Sequence, residues 1–281
     1  SMTTTRTVGA AGDDCGVTIH RPEAEQDRHT AVLYLHGGGL LYGERDDLPR
    51  PYIVAFLAEG YTLLCLDYPL APEVSVGVIH QAVLEGWLRL LEEEGVERYF
   101  LFGRSAGAYL ALILAKSLAG QPVPQPAGVL DFYGYYDMGD PFVTAPSPYY
   151  KTLPEVPRRL VERFFGGAPV TAGPKTQRFS LYIHARQQGA WKELLGGPAV
   201  EDPAWSLSPE DIRRLPPLFI TASSGDEDVP FRVSKALSRQ APQAVMKPVY
   251  YLPHDFDRDT TDPEGMRVYR GCLDWMAGVE G

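Results

Sequence analysis

The chain has 281 residues, 44% hydrophobic and 22% charged, a balance typical of a globular protein with a large buried core. Its formal net charge of −10 argues against nucleic acid or an anionic membrane as a partner, because both require a basic face. Three cysteines without a C-x-x-C pair do not indicate a disulfide framework, and no apolar run is long enough for a transmembrane helix. Since no secretory signal is evident either, we expect a cytoplasmic protein.

Short apolar runs alternate with amphipathic helical segments along the chain. Several of these runs are apolar throughout, which is typical of strands buried on both faces of a parallel sheet. The alternation predicts an α/β fold whose mostly parallel sheet is flanked by helices. We predict strands at 31–35, 61–67, 99–102, 128–133, 218–222 and 248–252.

Two helical segments carry start signals. Ser75 precedes a segment with apolar residues at helical spacing, and Gly95 can end it. Asp262 precedes Pro263, a residue favoured at the first position of a helix. The stretch 136–205 contains no clear strand, and about 70 residues is too long for a plain connection. We therefore predict a helical lid at 136–205, inserted into a core formed by 1–135 and 206–281.

The sharpest local signal is Gly103-Arg104-Ser105-Ala106-Gly107, which follows one predicted strand and opens a helical run. G-x-S-x-G in this context indicates a nucleophile elbow, a tight turn that exposes a serine hydroxyl at the carboxyl edge of the sheet. Glycine is required on both sides because larger side chains would collide with the backbone. A plain glycine-rich turn is the alternative, but the strand–turn–helix context favours Ser105 as a nucleophile.

The sequence His36-Gly37-Gly38-Gly39 follows the first predicted strand. Lipases and esterases with a nucleophile elbow use such a loop to donate backbone N–H groups to the oxyanion of the tetrahedral intermediate. We predict that the N–H groups of Gly38 and Gly39, with that of Ala106, form the oxyanion hole. His36 is expected to hydrogen-bond within the loop and not to act as the base.

A third motif lies between these two, and the three together resemble a known family. Residues 67–73 read D-Y-P-L-A-P-E. In this order the motifs resemble the hormone-sensitive-lipase-like esterases of the α/β-hydrolase superfamily. That family usually has arginine at the position of Pro69, aspartate at that of Arg104 and glycine at that of Ala108. The resemblance implies an α/β-hydrolase fold and a carboxylic ester hydrolase.

The general base and its acidic partner are expected late in the chain, because the triad order in this fold is serine, acid, histidine. His254 follows the last predicted strand, whereas the other histidines precede Ser105 or lie in the predicted lid. The acid is expected in the loop after 218–222, where both Asp226 and Asp228 qualify. The D-x-x-V-P spacing common in α/β hydrolases favours Asp226.

An alternating set of aspartates suggests calcium at first sight. Counted from Asp255, however, the positions that need glycine and glutamate in an EF-hand hold Thr260 and Met266. We therefore interpret Asp255, Asp257 and Asp259 as solvated loop carboxylates and predict no metal. No glycine-rich nucleotide motif is present, so we predict no cofactor either.

These observations favour a serine carboxylic ester hydrolase that acts on short-chain or small aromatic acyl esters through an acyl-enzyme. A feruloyl or sugar acetyl ester remains an alternative substrate, and a peptidase or amidase of the same fold an alternative enzyme. The alternative from another class is a non-catalytic small-ligand-binding protein, as in the plant gibberellin receptors, which resemble the same family. A candidate residue for each triad position favours the enzyme, and the sequence leaves open whether it forms a homo-oligomer.

Overall fold

An eight-stranded sheet lies at the centre of the computed structural model, which describes residues 1–9 and 14–281. The strands are β1 (Met2–Val8), β2 (Cys15–Arg21), β3 (Thr30–Leu35), β4 (Tyr61–Leu66), β5 (Tyr99–Arg104), β6 (Gly128–Phe132), β7 (Leu218–Ser223) and β8 (Ala244–Val249). Their spatial order is β1-β2-β4-β3-β5-β6-β7-β8. The pairs β1–β2 and β2–β4 are antiparallel, and every later pair is parallel. The predicted α/β-hydrolase fold class, with a mostly parallel sheet, is confirmed.

Helices cover both faces of this sheet. The α-helices are α1 (Arg50–Ala58), α2 (Val76–Glu93), α3 (Ala106–Leu118), α4 (Pro141–Thr144), α5 (Arg159–Glu162), α6 (Lys175–Gln188), α7 (Trp191–Leu194), α8 (Pro209–Arg213), α9 (Phe231–Gln240) and α10 (Pro263–Glu280). Short 3-10 helices occur at Ala24–Gln26, Tyr150–Thr152, Gly197–Glu201 and Pro203–Trp205. None of the helices in the described ranges combines the length and the apolarity needed to cross a membrane.

The central strands are buried along their whole length, which explains why they are apolar throughout. Successive side chains of β3 enter different layers: Leu33 packs on the side of α2 and α3, and Tyr34 on the side of α1 and α10. Each face of the sheet therefore has its own apolar core, and the carboxyl ends of the parallel strands are free to carry loops.

The helix start signals have different outcomes. The Asp262 carboxylate accepts a hydrogen bond of 2.9 Å from the Glu264 N–H, so α10 is capped as expected. Helix α2 begins directly after Ser75, but the Ser75 side chain makes no capping hydrogen bond. Gly95 follows the end of α2 with a positive φ of 61°, a conformation that glycine adopts without strain.

The structure adds two strands at one edge of the sheet and corrects the predicted position of the strand at the other edge. Strands β1 and β2 were not predicted, because β1 is mostly exposed and carries no continuous apolar run. The last strand was expected at 248–252 but lies at Ala244–Val249. Its residues alternate in burial, so no continuous apolar run indicates where the strand begins. The strand ends before residue 252 because Tyr251 has a φ of 63°, which is incompatible with an extended conformation.

The segment 136–205 carries α4 to α7 and three of the 3-10 helices, with no strand among its residues. Its one β-type contact is an isolated bridge between Gly173 and Gly43. Buried side chains of α6 and α7, including Leu181, Tyr182 and Trp191, join the same apolar core as α2 and α3. That this segment acts as a lid stays a prediction.

Candidate active site

Ser105 stands at the sharp turn between β5 and α3. Its φ of 56° and ψ of −117° are strained for a residue with a side chain. The turn leaves no room on either side. A Cβ on Gly103 would lie 2.0 Å from the Gly107 carbonyl oxygen, and a Cβ on Gly107 would lie 1.9 Å from the Leu35 carbonyl oxygen. The two glycines of the G-x-S-x-G sequence are therefore required by close backbone contacts.

A hydrogen-bonded chain of side chains runs from Ser105 through His254 to Asp226. The Oγ atom of Ser105 lies 2.7 Å from Nε2 of His254, and Nδ1 of His254 lies 2.5 Å from Oδ2 of Asp226. The other Asp226 oxygen accepts hydrogen bonds of 2.8 Å from the N–H groups of Asp228 and Val229. With its carboxylate fixed in this way, Asp226 favours the tautomer that carries a proton on Nδ1 and leaves Nε2 as an acceptor. The structure thus brings these three predicted residues together.

Asp228, the alternative acid, lies on the other side of the imidazole. Its Oδ1 accepts hydrogen bonds from the Tyr182 hydroxyl, at 2.6 Å, and from the guanidinium of Arg186. Its Oδ2 accepts one from the Tyr150 hydroxyl, at 3.1 Å, and lies 4.0 Å from Nε2 of His254. Asp228 therefore contacts the edge of the imidazole that faces the serine, and makes no hydrogen bond to Nδ1.

The two carboxylates change the protonation of His254. Burial alone would lower the pKa of the imidazole, but the charges of Asp226 and Asp228 outweigh burial and raise that pKa to about 9. Burial likewise works against ionisation of Asp228, but His254 and Arg186 outweigh it and hold the pKa of this carboxyl below its ordinary value. The site is therefore one in which negative charge favours the imidazolium form.

The glycine loop after β3 presents free backbone donors beside Ser105. Gly38 and Gly39 have φ values of 116° and 62°, and a Cβ on Gly38 would lie 1.9 Å from the Tyr42 carbonyl oxygen. No carbonyl or side chain in the described part of the chain accepts a hydrogen bond from the N–H of Gly38, Gly39 or Ala106. These three groups are thus available to a bound oxygen atom.

His36 is fully buried next to this loop. Its Nδ1 lies 2.6 Å from the Gly37 carbonyl oxygen, and its ring stacks on Tyr68 with 4.2 Å between the ring centroids. The Tyr68 hydroxyl donates a hydrogen bond of 2.6 Å to the His36 carbonyl. Both contacts orient the loop, so the histidine of the H-G-G-G sequence serves the backbone around it.

Two residues of the segment 136–205 also hold the glycine loop, and the sequence analysis missed both. The Trp191 indole N–H donates a hydrogen bond of 3.0 Å to the Gly39 carbonyl. Arg178 donates one of 2.7 Å to the Leu41 carbonyl and forms a buried bidentate pair with Glu73, the last residue of the D-Y-P-L-A-P-E sequence. A buried glutamate needs a positively charged partner. The presence of Glu73 in the D-Y-P-L-A-P-E sequence was therefore the signal from which a distant arginine could have been predicted.

Asp257 corrects one interpretation. It was expected to be a solvated loop carboxylate, but its side chain has 0% exposure. Its oxygens accept hydrogen bonds of 3.1 Å from Arg104, 2.6 Å from the Tyr133 hydroxyl and 2.7 Å from the Tyr269 hydroxyl. Burial works against its ionisation, but Arg104 outweighs burial and keeps the pKa of Asp257 below its usual value. The expectation was wrong because the loop after β8 turns inward to meet Arg104, which directly precedes Ser105.

A cavity of about 360 Å³ opens in front of Ser105 and His254. Among the described residues that line it there is no leucine, isoleucine, valine or methionine. The lining consists of glycines, tyrosines, one proline and many charged groups, namely Gly37, Gly38, Gly39, Tyr42, Gly43, Glu44, Asp47, Arg104, Ser105, Tyr133, Pro174, Lys175, Tyr182, Asp228, His254, Asp255 and Arg258. No group of three or more His, Cys, Asp or Glu residues in the described ranges is placed to hold a metal ion.

Comparison with known proteins places this site in a family. A family model described as alpha/beta hydrolase fold matches residues 32–252. The crystal structure of an alpha/beta hydrolase superfamily protein from Enterococcus faecalis is similar, with 36% identity, a TM-score of 0.85 and coverage of 98% of each chain.

Two curated relatives match over shorter stretches. The non-reducing polyketide synthase ausA from Aspergillus calidoustus is 29% identical over 188 residues, which cover 58% of this chain and 7% of the synthase. Esterase LipU from Mycobacterium tuberculosis is 41% identical over 90 residues, which cover 31% of this chain and 30% of LipU. The chain thus matches only a small part of these relatives. The family model and the full-length structural match confirm the superfamily resemblance drawn from the three motifs: the chain belongs to the alpha/beta hydrolase fold family.

Proposed function

We propose that this chain is a serine esterase that hydrolyses small carboxylic esters by two-step acyl transfer. The observation that supports the proposal most directly is the hydrogen-bonded chain from Ser105 to His254 to Asp226, with distances of 2.7 and 2.5 Å, at the wall of an open cavity. A nucleophile, a base and an orienting carboxylate within hydrogen-bond distance are what this reaction needs.

In the first step, Nε2 of His254 takes the proton of Ser105 as Oγ attacks the ester carbonyl. The imidazolium then protonates the leaving alcohol, and Ser105 holds the acyl group as an ester. In the second step His254 takes a proton from water as the water oxygen attacks the acyl carbonyl. The imidazolium then returns this proton to Oγ of Ser105 as the bond between Oγ and the acyl carbon breaks, which releases the acid and restores the free serine. Asp226 orients the imidazole through Nδ1 and stabilises its cation without accepting the proton.

The oxyanion of each tetrahedral intermediate would accept hydrogen bonds from the N–H groups of Gly38, Gly39 and Ala106. Each such donor is worth about 3 kcal/mol of the activation barrier when it is preorganised. Helix α3 begins at Ala106, so its N-terminal dipole adds a favourable potential for the developing negative charge. These donors have no partner in the described part of the chain, which supports this role.

The size and lining of the cavity support small ester substrates. A volume of about 360 Å³ is at the lower end of small-molecule sites, and the described lining contains no leucine, isoleucine, valine or methionine side chain to pack against a long acyl chain. The 41% identity to Esterase LipU, although limited to 90 residues, supports ester hydrolysis over peptide hydrolysis. We further propose that 136–205 acts as a cap, since Pro174, Lys175 and Tyr182 of this segment form part of the cavity wall.

The test is hydrolysis of p-nitrophenyl acetate by the purified protein and by two serine variants. Ser105→Ala should remove nearly all activity, because Ser105 is the only serine, threonine or cysteine among the described residues that line the cavity. Ser238→Ala is a matched control, since this half-buried serine on α9 donates a hydrogen bond to the Lys235 carbonyl, lies outside the cavity lining and should retain the parent rate. Turnover by Ser105→Ala at close to the parent rate, or no turnover of any small ester by the parent protein, would overturn the proposal.

A further inference from the structure

Asp228 is a fixed carboxylate in the wall of the cavity that the proposed reaction does not use. The side chain of Arg186, which holds it, is 3% exposed and lies among the rings of Phe142, Tyr150, Tyr182 and Trp191. Arg186 also donates a hydrogen bond of 2.8 Å to the Asp228 main-chain carbonyl. An arginine held in this way keeps the carboxylate in one orientation and in its ionised form.

Within the described ranges, the hydrogen bonds of Asp228 leave one acceptor position open. A carboxylate has about four acceptor positions, two on each oxygen. Arg186 and Tyr182 use both positions on Oδ1, and the Tyr150 hydroxyl uses one on Oδ2. The open position is therefore on Oδ2. This oxygen lies 4.0 Å from Nε2 of His254, next to the place where an ester would react.

The rest of the cavity agrees with a substrate that donates hydrogen bonds. Besides Asp228, three carboxylates line it, those of Glu44, Asp47 and Asp255. Arg104 is already paired with the buried Asp257, and the two remaining cations, Lys175 and Arg258, are exposed. The carboxylates of the lining therefore outnumber its cations.

Building on the proposed esterase function, we propose that Asp228 selects esters that carry a hydroxyl or ammonium group within three bonds of the ester linkage, by accepting a hydrogen bond from that group. An ester with only a methyl group at this position would leave the open acceptor position on Oδ2 without water and without a partner, which is unfavourable for a charged acceptor. Asp228 is thus a specificity residue, and Asp226 is the partner of the base.

The experiment uses methyl esters that have the same shape and differ in one group. Methyl isobutyrate, methyl lactate and methyl alaninate carry a methyl, a hydroxyl and an ammonium group at the same carbon. Propyl acetate and 2-hydroxyethyl acetate make the same comparison on the alcohol side. The quantity measured is the ratio of kcat/KM for each donor ester to kcat/KM for its apolar counterpart, in the parent protein and in Asp228→Asn.

Asp228→Asn changes hydrogen-bonding character with little change of shape. Arg186 and Tyr182 both donate to Oδ1, so the amide oxygen takes that position and the amide NH₂ takes the position of Oδ2. The open acceptor thereby becomes a donor. Asp274→Asn is the matched control, because it makes the same change at an exposed aspartate of α10 that lies outside the cavity lining and makes no hydrogen bond within the described part of the chain.

We expect the ratio for at least one donor ester to fall by about tenfold or more in Asp228→Asn, the scale of one hydrogen bond to a charged group. Asp274→Asn should keep it within about twofold, as expected of an exposed charge outside the cavity. Intrinsic reactivity and any change in the basicity of His254 cancel, because every ratio compares two esters on the same protein. A fall with the lactate or 2-hydroxyethyl ester identifies a hydroxyl, and a fall with the alaninate an ammonium group.

Unchanged ratios in a protein that hydrolyses all five esters would overturn the selection by Asp228 and leave the proposed function intact. Failure to hydrolyse any ester would overturn both. If Asp228→Asn does not fold, the parent protein gives a second measurement. A single fixed acceptor should prefer one enantiomer of methyl lactate by about tenfold, and equal rates for both enantiomers, with no preference for 2-hydroxyethyl acetate, would contradict the proposal.

Discussion

Replacement of Asp257 by asparagine should destabilise the fold strongly, although the sequence pattern around this residue suggests a solvated loop. Asp257 is the counter-charge of the buried Arg104 and also accepts hydrogen bonds from Tyr133 and Tyr269. Asparagine keeps one acceptor oxygen but turns the other into a donor, which then faces groups that already donate. The carboxylate of Asp47, 3.7 Å from Arg104 and half-exposed, compensates only part of the lost charge.

Breaking one partner of a buried ion pair typically costs about 3–5 kcal/mol, because the other charge is left without compensation. We therefore expect Asp257→Asn to lower the free energy of unfolding by about 3 kcal/mol or more. Urea denaturation followed by tryptophan fluorescence measures this difference. Asp255→Asn is the matched control in the same loop. Its contact with Arg258 is 3.6 Å long and exposed, so a loss below about 1 kcal/mol is expected.

Equal losses of unfolding free energy in the two variants would refute this reasoning. If Asp257→Asn and Asp255→Asn lower the free energy of unfolding by similar small amounts, Asp257 is a solvated carboxylate, as the sequence pattern suggested, and the buried pair with Arg104 is wrong. A large loss in Asp257→Asn alone supports the pair that connects the turn of Ser105 to the loop of His254.

Three further predictions concern catalysis. Asp226→Asn should lower kcat by about 10⁴-fold, the scale found when a triad aspartate becomes asparagine, whereas Asp228→Asn should lower it less. Only the neutral imidazole can accept a proton, and the pKa of His254 is raised to about 9, so kcat/KM should increase with pH up to about that value. Because the charge of Asp228 contributes to this increase in pKa, Asp228→Asn should move the midpoint of the pH profile to lower pH. Trp191→Phe removes the 3.0 Å hydrogen bond to the Gly39 carbonyl and should lower kcat by about tenfold with little change in KM.

Each of these predictions has a distinct contradiction. A larger loss in Asp228→Asn than in Asp226→Asn would exchange the roles of the two aspartates. A pH profile with a midpoint near 6.5, the ordinary value for histidine, would show that the carboxylates do not raise the pKa of the base. For Trp191→Phe, a parent-like kcat would mean that the glycine loop holds its conformation without the indole.

The local parts of the site were predictable from sequence, because short stretches of chain determine them. The turn of Ser105 needs Gly103 and Gly107 for steric reasons that a motif records directly, and the same holds for the glycines after β3. The position of His254 follows from the order of elements in the fold. Where one residue type was required at one place, the sequence was enough to locate it.

The pairings between distant segments were not predictable, since nothing in a local pattern indicates them. Asp228 is paired with Arg186, which lies in a segment without recognisable strands, and the sequence alone left Asp226 and Asp228 as alternatives. Asp257 was misread because its alternation with Asp255 and Asp259 resembles an exposed loop, whereas Arg104, 153 residues earlier, keeps it buried. Edge strand β8 was misplaced because one of its faces is exposed, so its apolar signal is weak.

Covalent labelling of Ser105 tests the central claim most directly. A fluorophosphonate reacts with a serine hydroxyl only when a neighbouring base and an oxyanion hole activate it, so the label reports the proposed machinery without any assumption about the substrate. Intact-mass analysis of the parent protein should show one adduct, and peptide mapping should place it on Ser105. Ser105→Ala should remain unlabelled. A parent protein that takes up no label, or a Ser105→Ala variant that is labelled to the same extent, would contradict the claim that Ser105 is the nucleophile.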